Sequence, residues 1–536
     1  MSEISVRREQ DAGWGQDWQR PARRSLGASA VKSSAFAVPA VLGLVRFLTT
    51  RDWPVAGVVA VCAGAAVLIV AGVLAYDVIR LRTTRWRLTD DRLELRSGIA
   101  VRQRRSIPRD RVRSVDLRAD PVLRAFGLTV VKVGTGERSA EDDELRLDPL
   151  TRHDAETLRR TLLRGAVAGP QVDAPLAELK WSWIRYAPLS VWTFTGAAVV
   201  LGLAYKGLNT IGVKVLTTEV AEGLWSWVTA RPVVTVPLLL VANAAVGALG
   251  AGLLFAESWG RYRLEREPGR LRLRRGLLTA RSLTMEERRL RGVEISEPLL
   301  LRLGGGARVK AIATGLGKAG ENETEDVAAL TPPLPRAVAG RLAAEIARTN
   351  LPAPASPRPS TTPGPGTASE LGTGAGVGSG LAAHPPAARR RRIGRALVTV
   401  LVLAAGAAAV SSLVPWAWVR AWVWAAPAVA LPLGLWLAAE SARSLGHALG
   451  GRHLITRTGS VVRRTVALDR AGISGWTITE SLFQRRHGLL TVSATTAAGD
   501  GRYDVVDVGR GDGLDLASRA VPGLLEPFLD RSARNT

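Results

Sequence analysis

One arrangement occurs three times along this chain of 536 residues. Each copy begins with a pair of hydrophobic segments and continues into a charged stretch in which polar and apolar residues alternate. The hydrophobic pairs occupy 34–76, 187–256 and 396–439, and the charged stretches occupy 80–166, 260–349 and 450–530. A repeat of this length is a repeated domain rather than the short period of a solenoid. The sequence therefore predicts one domain type in three copies, each attached to two hydrophobic segments.

The hydrophobic segments are long enough to predict membrane helices. A spanning helix needs about 20 mostly apolar residues, and 233–256 contains no charged residue. The weakest segment is 34–49, which is short and contains Arg46, a residue that can snorkel to the interface. A buried core helix is the alternative for that segment. We expect six spans in three pairs.

Lysine and arginine predict the orientation of these spans. Positive charges are frequent in the tail 1–33 and where each charged stretch begins, whereas the connections within the pairs carry few. By the positive-inside rule, both termini and all three domains are expected in the cytoplasm, beneath the cell (inner) membrane. In the second pair, 207–230 has apolar residues at near-helical spacing, which predicts an interfacial helix outside; an ordinary outer loop is the alternative.

The charged stretches have strand patterns followed by one closing helix. In copy 1, apolar residues alternate on both sides of Asp90 and Asp91, which is typical of a hairpin. A helix is expected after Thr151, its candidate cap, and closing helices are expected near 335–348 and 515–528 in the other copies. The predicted fold is thus membrane α-helical with three α+β domains, each a β half-barrel capped by a C-terminal helix.

Two segments have the composition of disordered chain. The tail 1–33 is polar and basic, and 350–392 is rich in Pro, Gly, Ser, Thr and Ala until it ends in the polybasic run 389–392. Such compositions bury too little apolar surface to fold. We expect both segments to be disordered.

Short motifs in the domains carry a family resemblance. Copy 1 contains S-I-P-R-D-R-V at 106–112 and D-P-V-L-R-A-F-G-L at 120–128, and copy 3 contains S-L-F-Q-R-R-H-G-L at 481–489. Copy 2 has the weaker E-P-L-L-L-R-L-G at 297–304, in which Arg302 is displaced by one position against Arg124. These motifs resemble the bacterial pleckstrin-homology-like (PH-like) domain of YdbS/YdbT-type membrane proteins. The resemblance implies PH-like domains placed directly after paired membrane helices.

Within these motifs, we expect Phe126 and Phe483 to plug the barrel as packing residues, because aromatic side chains dominate core energetics. Gly127 and Gly488 are expected to permit a bend before a strand. The motif residues with expected structural roles are Pro108, Pro121, Phe126, Gly127, Pro298, Gly304, Phe483 and Gly488.

The net charge of +25 predicts an acidic partner. Anionic lipid is the nearest acidic surface for a tethered domain, whereas nucleic acid is not expected because aromatic residues are sparse in the basic stretches. A basic composition that only obeys the positive-inside rule is the alternative. The candidate contacts with anionic lipid headgroups are Arg102, Arg104, Arg105, Arg109, Arg111, Arg113, Arg463, Arg464, Arg485 and Arg486.

The sequence offers no candidate for catalysis, a cofactor or a metal. Its five histidines are scattered outside ligand motifs, and its one cysteine, Cys62, lies in a hydrophobic segment. We therefore expect a non-enzymatic membrane protein that acts as a scaffold or as a lipid- or protein-binding module in envelope maintenance or stress tolerance. Another membrane protein is a candidate partner, and oligomerisation stays open. The alternative is a transporter or channel subunit formed by the six helices.

Overall fold

The computed structural model describes residues 17–98, 102–112, 114–134, 145–162, 175–190, 193, 202–209, 218–314, 328–348 and 381–525. The chain forms two compact units, Met1–Glu287 (unit 1) and Arg288–Thr536 (unit 2). Unit 1 contains copy 1 and the first strands of copy 2. Unit 2 contains the remaining strands of copy 2 and all of copy 3.

Five helices in the described residues are long and apolar enough to cross a membrane. The helices that contain them are α1 (Ser25–Thr49), α2 (Val55–Thr83), α6 (Pro232–Trp259), α9 (Pro386–Leu413) and α10 (Ala417–Arg443). About half of the predicted span 187–205 lies outside the described residues. Within the predicted outer segment 207–230, a helix α5 covers Thr218–Ala230.

Unit 1 has two antiparallel sheets. The first has the order β1-β2-β3, with strands Arg85–Leu88, Arg92–Ser97 and Gln103–Pro108. The second has the order β6-β5-β4-β10-β9-β8-β7. Its copy 1 strands are β4 (Ser114–Ala119), β5 (Leu128–Gly134) and β6 (Leu145–Thr151), and the others are β7 (Ala177–Glu178), β8 (Arg263–Glu267), β9 (Arg270–Arg275) and β10 (Ala280–Glu286).

The two sheets of copy 1 enclose one apolar core. Leu93, Val131 and Leu147 are fully buried there, together with Leu158 of the closing helix α4 (Arg152–Leu162). A short helix α3 (Pro121–Ala125) joins β4 to β5. The predicted hairpin and closing helix of copy 1 are confirmed, and the Thr151 hydroxyl caps α4 by accepting the backbone N–H of Asp154 at 3.2 Å.

Unit 2 repeats this plan. One sheet has the order β13-β12-β11-β16-β15-β14, and the other has the order β17-β18-β19. The strands are β11 (Leu290–Pro298), β12 (Gly306–Ala313), β13 (Leu334–Pro335), β14 (Gly446–Gly450), β15 (His453–Thr458), β16 (Val462–Asp469), β17 (Ile473–Thr479), β18 (Leu489–Thr496) and β19 (Arg502–Gly509). Its helices outside the candidate spans are α7 (Leu299–Leu303), α8 (Arg336–Ala347), α11 (Leu482–Arg486) and α12 (Arg510–Ala520).

Each copy places a glycine in the left-handed region before the strand that follows its short helix. The φ angles are +68° at Gly127, +74° at Gly305 and +62° at Gly488. The carbonyl oxygen of each glycine accepts the N–H of the residue that begins the closing helix, and these residues are Arg152, Arg336 and Arg510. The predicted bend is confirmed for copies 1 and 3, and Gly305 rather than Gly304 supplies it in copy 2.

The short helices of copies 1 and 2 show that Arg302 is not displaced against Arg124. Arg302 is the fourth residue of α7, as Arg124 is of α3, so the two arginines occupy equivalent positions. The predicted displacement was wrong because it took Gly304 as the equivalent of Gly127, whereas Gly305 makes the left-handed turn in copy 2.

The expectation for the two phenylalanines was also wrong. Phe483 is 66% exposed, and Phe126 packs at the edge of a small cluster around Leu123, Leu128 and Val130 rather than in the barrel core. Phe483 belongs to the short surface helix α11, and Phe126 is the residue that ends α3. Both positions direct the ring away from the space between the sheets.

Several boundaries differ from the predicted ones. The first hydrophobic helix begins at Ser25, so residues 25–33 of the expected tail are helical. The polybasic run 389–392 lies inside α9 rather than in a disordered linker, because Arg391 and Arg392 pair with the buried Asp507. The closing helix of copy 3 spans Arg510–Ala520, earlier than 515–528. Residues 1–16 and 350–380 lie outside the described residues.

Candidate functional site

Unit 1 has a cavity of about 620 Å³ where β4 of copy 1 meets β10 of copy 2. Eight arginines line it, whereas Glu156 is the only acidic residue among its lining residues. These arginines are Arg124, Arg152, Arg261, Arg263, Arg272, Arg274, Arg275 and Arg281. The cavity is therefore suited to an anion.

The arginines converge because two copies share one sheet. In β9, Arg272 and Arg274 alternate with apolar residues, which places them on one face of the strand. Copy 1 contributes Arg124 from α3 and Arg152 from the first turn of α4. Arg261 lies two residues after Trp259, the last residue of α6.

Glu156 organises the inner wall of the cavity. It accepts hydrogen bonds from Arg159 at 2.7 Å and from Arg272 at 3.2 Å. Burial raises the pKa of Glu156, but the neighbouring Arg159 and Arg272 outweigh burial and hold it below its ordinary value. Burial lowers the pKa of Arg272. This wall is a structural ion-pair network, since each buried charge in it has a partner.

A second acidic residue fixes the strand junction itself. Asp116 of β4 accepts hydrogen bonds from Arg281 of β10, with the Nε of Arg281 3.1 Å from its Oδ2. Arg118 also donates to Asp116, at 2.8 Å. The pair formed by Asp116 and Arg281 joins the two copies and aligns strands β4 and β10.

Three arginines of the cavity remain available to a ligand. Arg152, Arg261 and Arg274 are exposed, and within the described parts of the chain none of them forms an ion pair. Arg124 is also exposed at this site, where its guanidinium donates to the carbonyl oxygen of Leu277 at 2.7 Å. Guanidinium groups bind phosphate and carboxylate through paired, charge-assisted hydrogen bonds.

The cavity lies beside the C-terminal end of α6, one of the candidate spans. Trp259 is the last residue of that helix, and the guanidinium of Arg275 lies 4.4 Å from the centroid of its ring. Tryptophan at a helix end is typical of a membrane–water interface. The guanidinium of Arg275 and the ring of Trp259 are therefore in contact at the edge of the cavity.

The arginines that the sequence singled out for lipid binding do not line this cavity. Arg104 lies exposed on β3, and Arg485 and Arg486 lie exposed on α11. Arg102 is exposed just before β3, and Arg105 and Arg111 lie on β3 and the turn after it. Arg113 is outside the described residues.

Some of these candidates are occupied by the protein itself. Arg109 donates to the carbonyl oxygens of Asp90 at 2.9 Å and Thr161 at 2.8 Å, so it fastens the end of α4 to the first hairpin. Arg463 pairs with Glu440 and Glu297, and Arg464 pairs with Glu294 and Asp500. Arg109 and Arg463 therefore have structural roles, which sequence reasoning missed because their partners are distant in the chain.

Metal chemistry has no candidate among the described residues, where no group of three or more His, Cys, Asp or Glu side chains is placed to hold an ion.

The chain is similar in sequence to a known family of domains. A family model described as "Bacterial PH domain" matches residues 35–166, 211–347 and 390–518. No curated protein and no solved structure matches the chain.

Proposed function

Since these three matches cover most of its residues, the chain belongs to the bacterial PH domain family, and we propose that it is a membrane protein that binds anionic lipid headgroups. The observation that carries the proposal is the arginine-lined cavity of unit 1 beside the end of α6. In this arrangement α6 crosses the bilayer and Trp259 lies at its surface. The cavity then opens at the level of the headgroups.

The energetics favour a headgroup with a net negative charge over a zwitterionic one. Each Lys or Arg near an anionic surface contributes about 1 kcal/mol of attraction. The three exposed arginines Arg152, Arg261 and Arg274 together contribute about 3 kcal/mol on that scale, which is a factor of about 100 in affinity. Salt weakens this attraction because the groups are exposed to solvent.

The wider arrangement that we propose follows the charge distribution of the sequence. Six helices in three pairs cross the inner membrane, both termini lie in the cytoplasm, and the three domains face the cytoplasmic leaflet. In this role the protein is a non-enzymatic scaffold of the YdbS/YdbT type that serves envelope maintenance. Five apolar helices of suitable length support the membrane placement.

The test is binding of short-chain phosphatidylglycerol to the purified full-length protein, with short-chain phosphatidylcholine as the neutral comparison. The variant Arg152→Ala/Arg274→Ala removes two arginines from the cavity. We expect the wild-type protein to prefer phosphatidylglycerol and the variant to lose at least tenfold in affinity, since two charges of about 1 kcal/mol each are lost.

The matched control is Arg485→Ala/Arg486→Ala, which removes the same charge from exposed positions on α11. Its affinity should stay near that of the wild-type protein. Equal losses in both variants would show that the attraction is a property of total charge, and an absent lipid preference would refute the proposal.

A further inference from the structure

Strands β3 and β17 lie at the ends of their sheets, whereas the strands that correspond to them in the other copies are paired between copies. Strands β3, β10 and β16 each precede a 3-10 turn, and strands β4, β11 and β17 each precede one of the five-residue helices α3, α7 and α11. Between copies, β4 pairs with β10 and β11 pairs with β16. In the described parts of the chain, β3 and β17 end their sheets.

The two internal junctions have the same register. Ser114 lies opposite Met285 in unit 1, and Gly292 lies opposite Leu468 in unit 2. Ser114 and Gly292 are both the seventh residue before the short helix of their copy. Met285 and Leu468 both lie two residues before the 3-10 turn that follows their strands. One pairing geometry is therefore built twice, with different side chains.

The end strands remain exposed where their equivalents are buried. Every residue of β11 from Gly292 to Glu297 is buried at its junction. In contrast, Thr477, Ile478 and Thr479 of β17 are exposed. On β3, Gln103, Arg104 and Ser106 are exposed. An exposed strand edge presents backbone N–H and C=O groups that can template the addition of another strand.

We propose that β17 of one chain pairs with β3 of a second copy of this chain, antiparallel and in the register of the two internal junctions. This register places Gly475 opposite Ile107, Ile478 opposite Arg104 and Glu480 opposite Arg102. It extends the sheets from one chain into the next by backbone hydrogen bonds.

The side chains support a second copy as the occupant. At the junction of unit 2, Glu297 lies opposite Arg463, and their side chains approach to 3.9 Å. Arg102 and Glu480 hold the equivalent positions beside the two end strands, and Glu480 also lies 3.2 Å from Arg510. The chain thus carries a complementary charge pair divided between its two edges, and opposite charges directly across a strand pair are favourable.

The contact is heterologous, since two different surfaces of the same chain meet. Each chain that is added leaves one β3 and one β17 free, so the assembly grows until it closes into a ring or continues as a row.

The test uses cysteine pairs in membranes that contain two differently tagged chains, both in a Cys62→Ala background. One chain carries Ile478→Cys and the other carries Arg104→Cys. Neighbouring strands bring such residues within disulfide range, so oxidation should give a covalent species with both tags. The control replaces Arg104→Cys by Arg105→Cys, whose side chain projects from the other face of β3 and should cross-link at least fivefold less.

A two-tag product that depends on position 104 supports the proposal. Absence of the product overturns the proposal. Pairing of these strands with another protein, or with each other within one chain, would give that result. Equal yield at positions 104 and 105 also overturns it, because only random collision ignores the face of the strand.

Charge reversal provides a second measurement on the full-length protein. Glu480→Arg should lower the cross-link yield, and Glu480→Arg combined with Arg102→Glu in the same chains should restore it. Unchanged yield in the single variant would remove Glu480 from the contact. Neither residue lines the cavity of unit 1, so this outcome is independent of lipid binding.

Discussion

The junction of β4 with β10 in unit 1 and the junction of β11 with β16 in unit 2 share one strand register but differ in the charges around it. Ala119 of β4 occupies the position that Glu297 occupies in β11. At this position the junction of unit 1 is uncharged, whereas the junction of unit 2 carries a buried carboxylate. The backbone frame is common, and the side chains decide whether it holds an open cationic cavity.

In unit 2 the arginines are neutralised by the protein. Glu297 is 1% exposed, lies 2.7 Å from Arg336 and also faces Arg463. Glu440, near the end of α10, pairs with Arg463 and lies 3.5 Å from Arg302. Burial lowers the pKa of Arg302 and of Arg336. Two carboxylates thus pair with three arginines in this junction.

In unit 1 the corresponding acid has another role. Glu257 and Glu440 both lie thirteen residues before the second strand of the following hairpin. Glu257 accepts the backbone N–H groups of Leu278 at 3.0 Å and Thr279 at 2.8 Å instead of pairing with an arginine. The arginines of unit 1 consequently lack both acids that balance their equivalents in unit 2, which leaves charge for an external anion.

The largest effect is expected from Glu297→Gln in unit 2. It leaves Arg336 and Arg463 with one buried carboxylate fewer, and breaking a buried ion pair costs about 3–5 kcal/mol. Hydrogen exchange of the β11 and β16 amides should show a lower opening free energy. Asp515→Asn removes an equal charge from an exposed pair with Arg519 and should cost less than about 0.5 kcal/mol. Similar losses in the two variants would contradict the assignment of Glu297 as a structural acid.

Acidification should weaken unit 2 more than unit 1. His447 of β14 lies 3.1 Å from His384, and burial, followed by the charge of His384, lowers its pKa to about 4. The unfolded chain, with a histidine pKa of about 6.5, binds the extra proton first as pH falls. Stability is therefore lost as pH drops from about 6.5 towards 4.

Between pH 7 and pH 5 this histidine should cost about 2 kcal/mol. Hydrogen exchange of β14 and β15 at the two pH values measures the loss, and His447→Gln should reduce it. Unit 1 has a single histidine, His153, which is exposed on α4, so its strands serve as the internal reference. A decline of equal size in both units would exclude His447 as its cause.

The smallest effect is expected from Ala119→Glu, which places the acid of unit 2 into unit 1. The new carboxylate lies opposite the arginines of the cavity, as Glu297 does near Arg336. Removing one net positive charge should lower the affinity for short-chain phosphatidylglycerol by about fivefold, or about 1 kcal/mol. Ala119→Gln adds nearly the same volume without charge, and an equal loss in that variant would assign the effect to steric blocking.

Local patterns in the sequence predicted the elements of each copy. The alternation in 85–97 gave the first hairpin, and Thr151 marked the start of α4 because its hydroxyl can satisfy a free backbone N–H. Gly127 and Gly488 were recognisable as turn positions, since glycine tolerates positive φ. These features depend on residues that are close in the chain.

The candidate site was not predictable in this way. Arg274 belongs to a basic strand, but no local pattern shows that β9 and β10 continue the sheet of copy 1 and bring it near Arg152. The role of Arg109 was hidden for the same reason, because its acceptor on Thr161 is distant in sequence.

By itself, the sequence determined three copies, five of the apolar helices, the first hairpin of copy 1 and the closing helices of copies 1 and 2, because hydrophobic period and turn chemistry act over a few residues. Only the tertiary structure decided that neighbouring copies share sheets, which arginines are neutralised and which remain exposed. Strand pairing between copies and the partners of buried charges depend on contacts between residues far apart in the chain, and a single residue such as Ala119 or Glu297 then sets the charge of the junction.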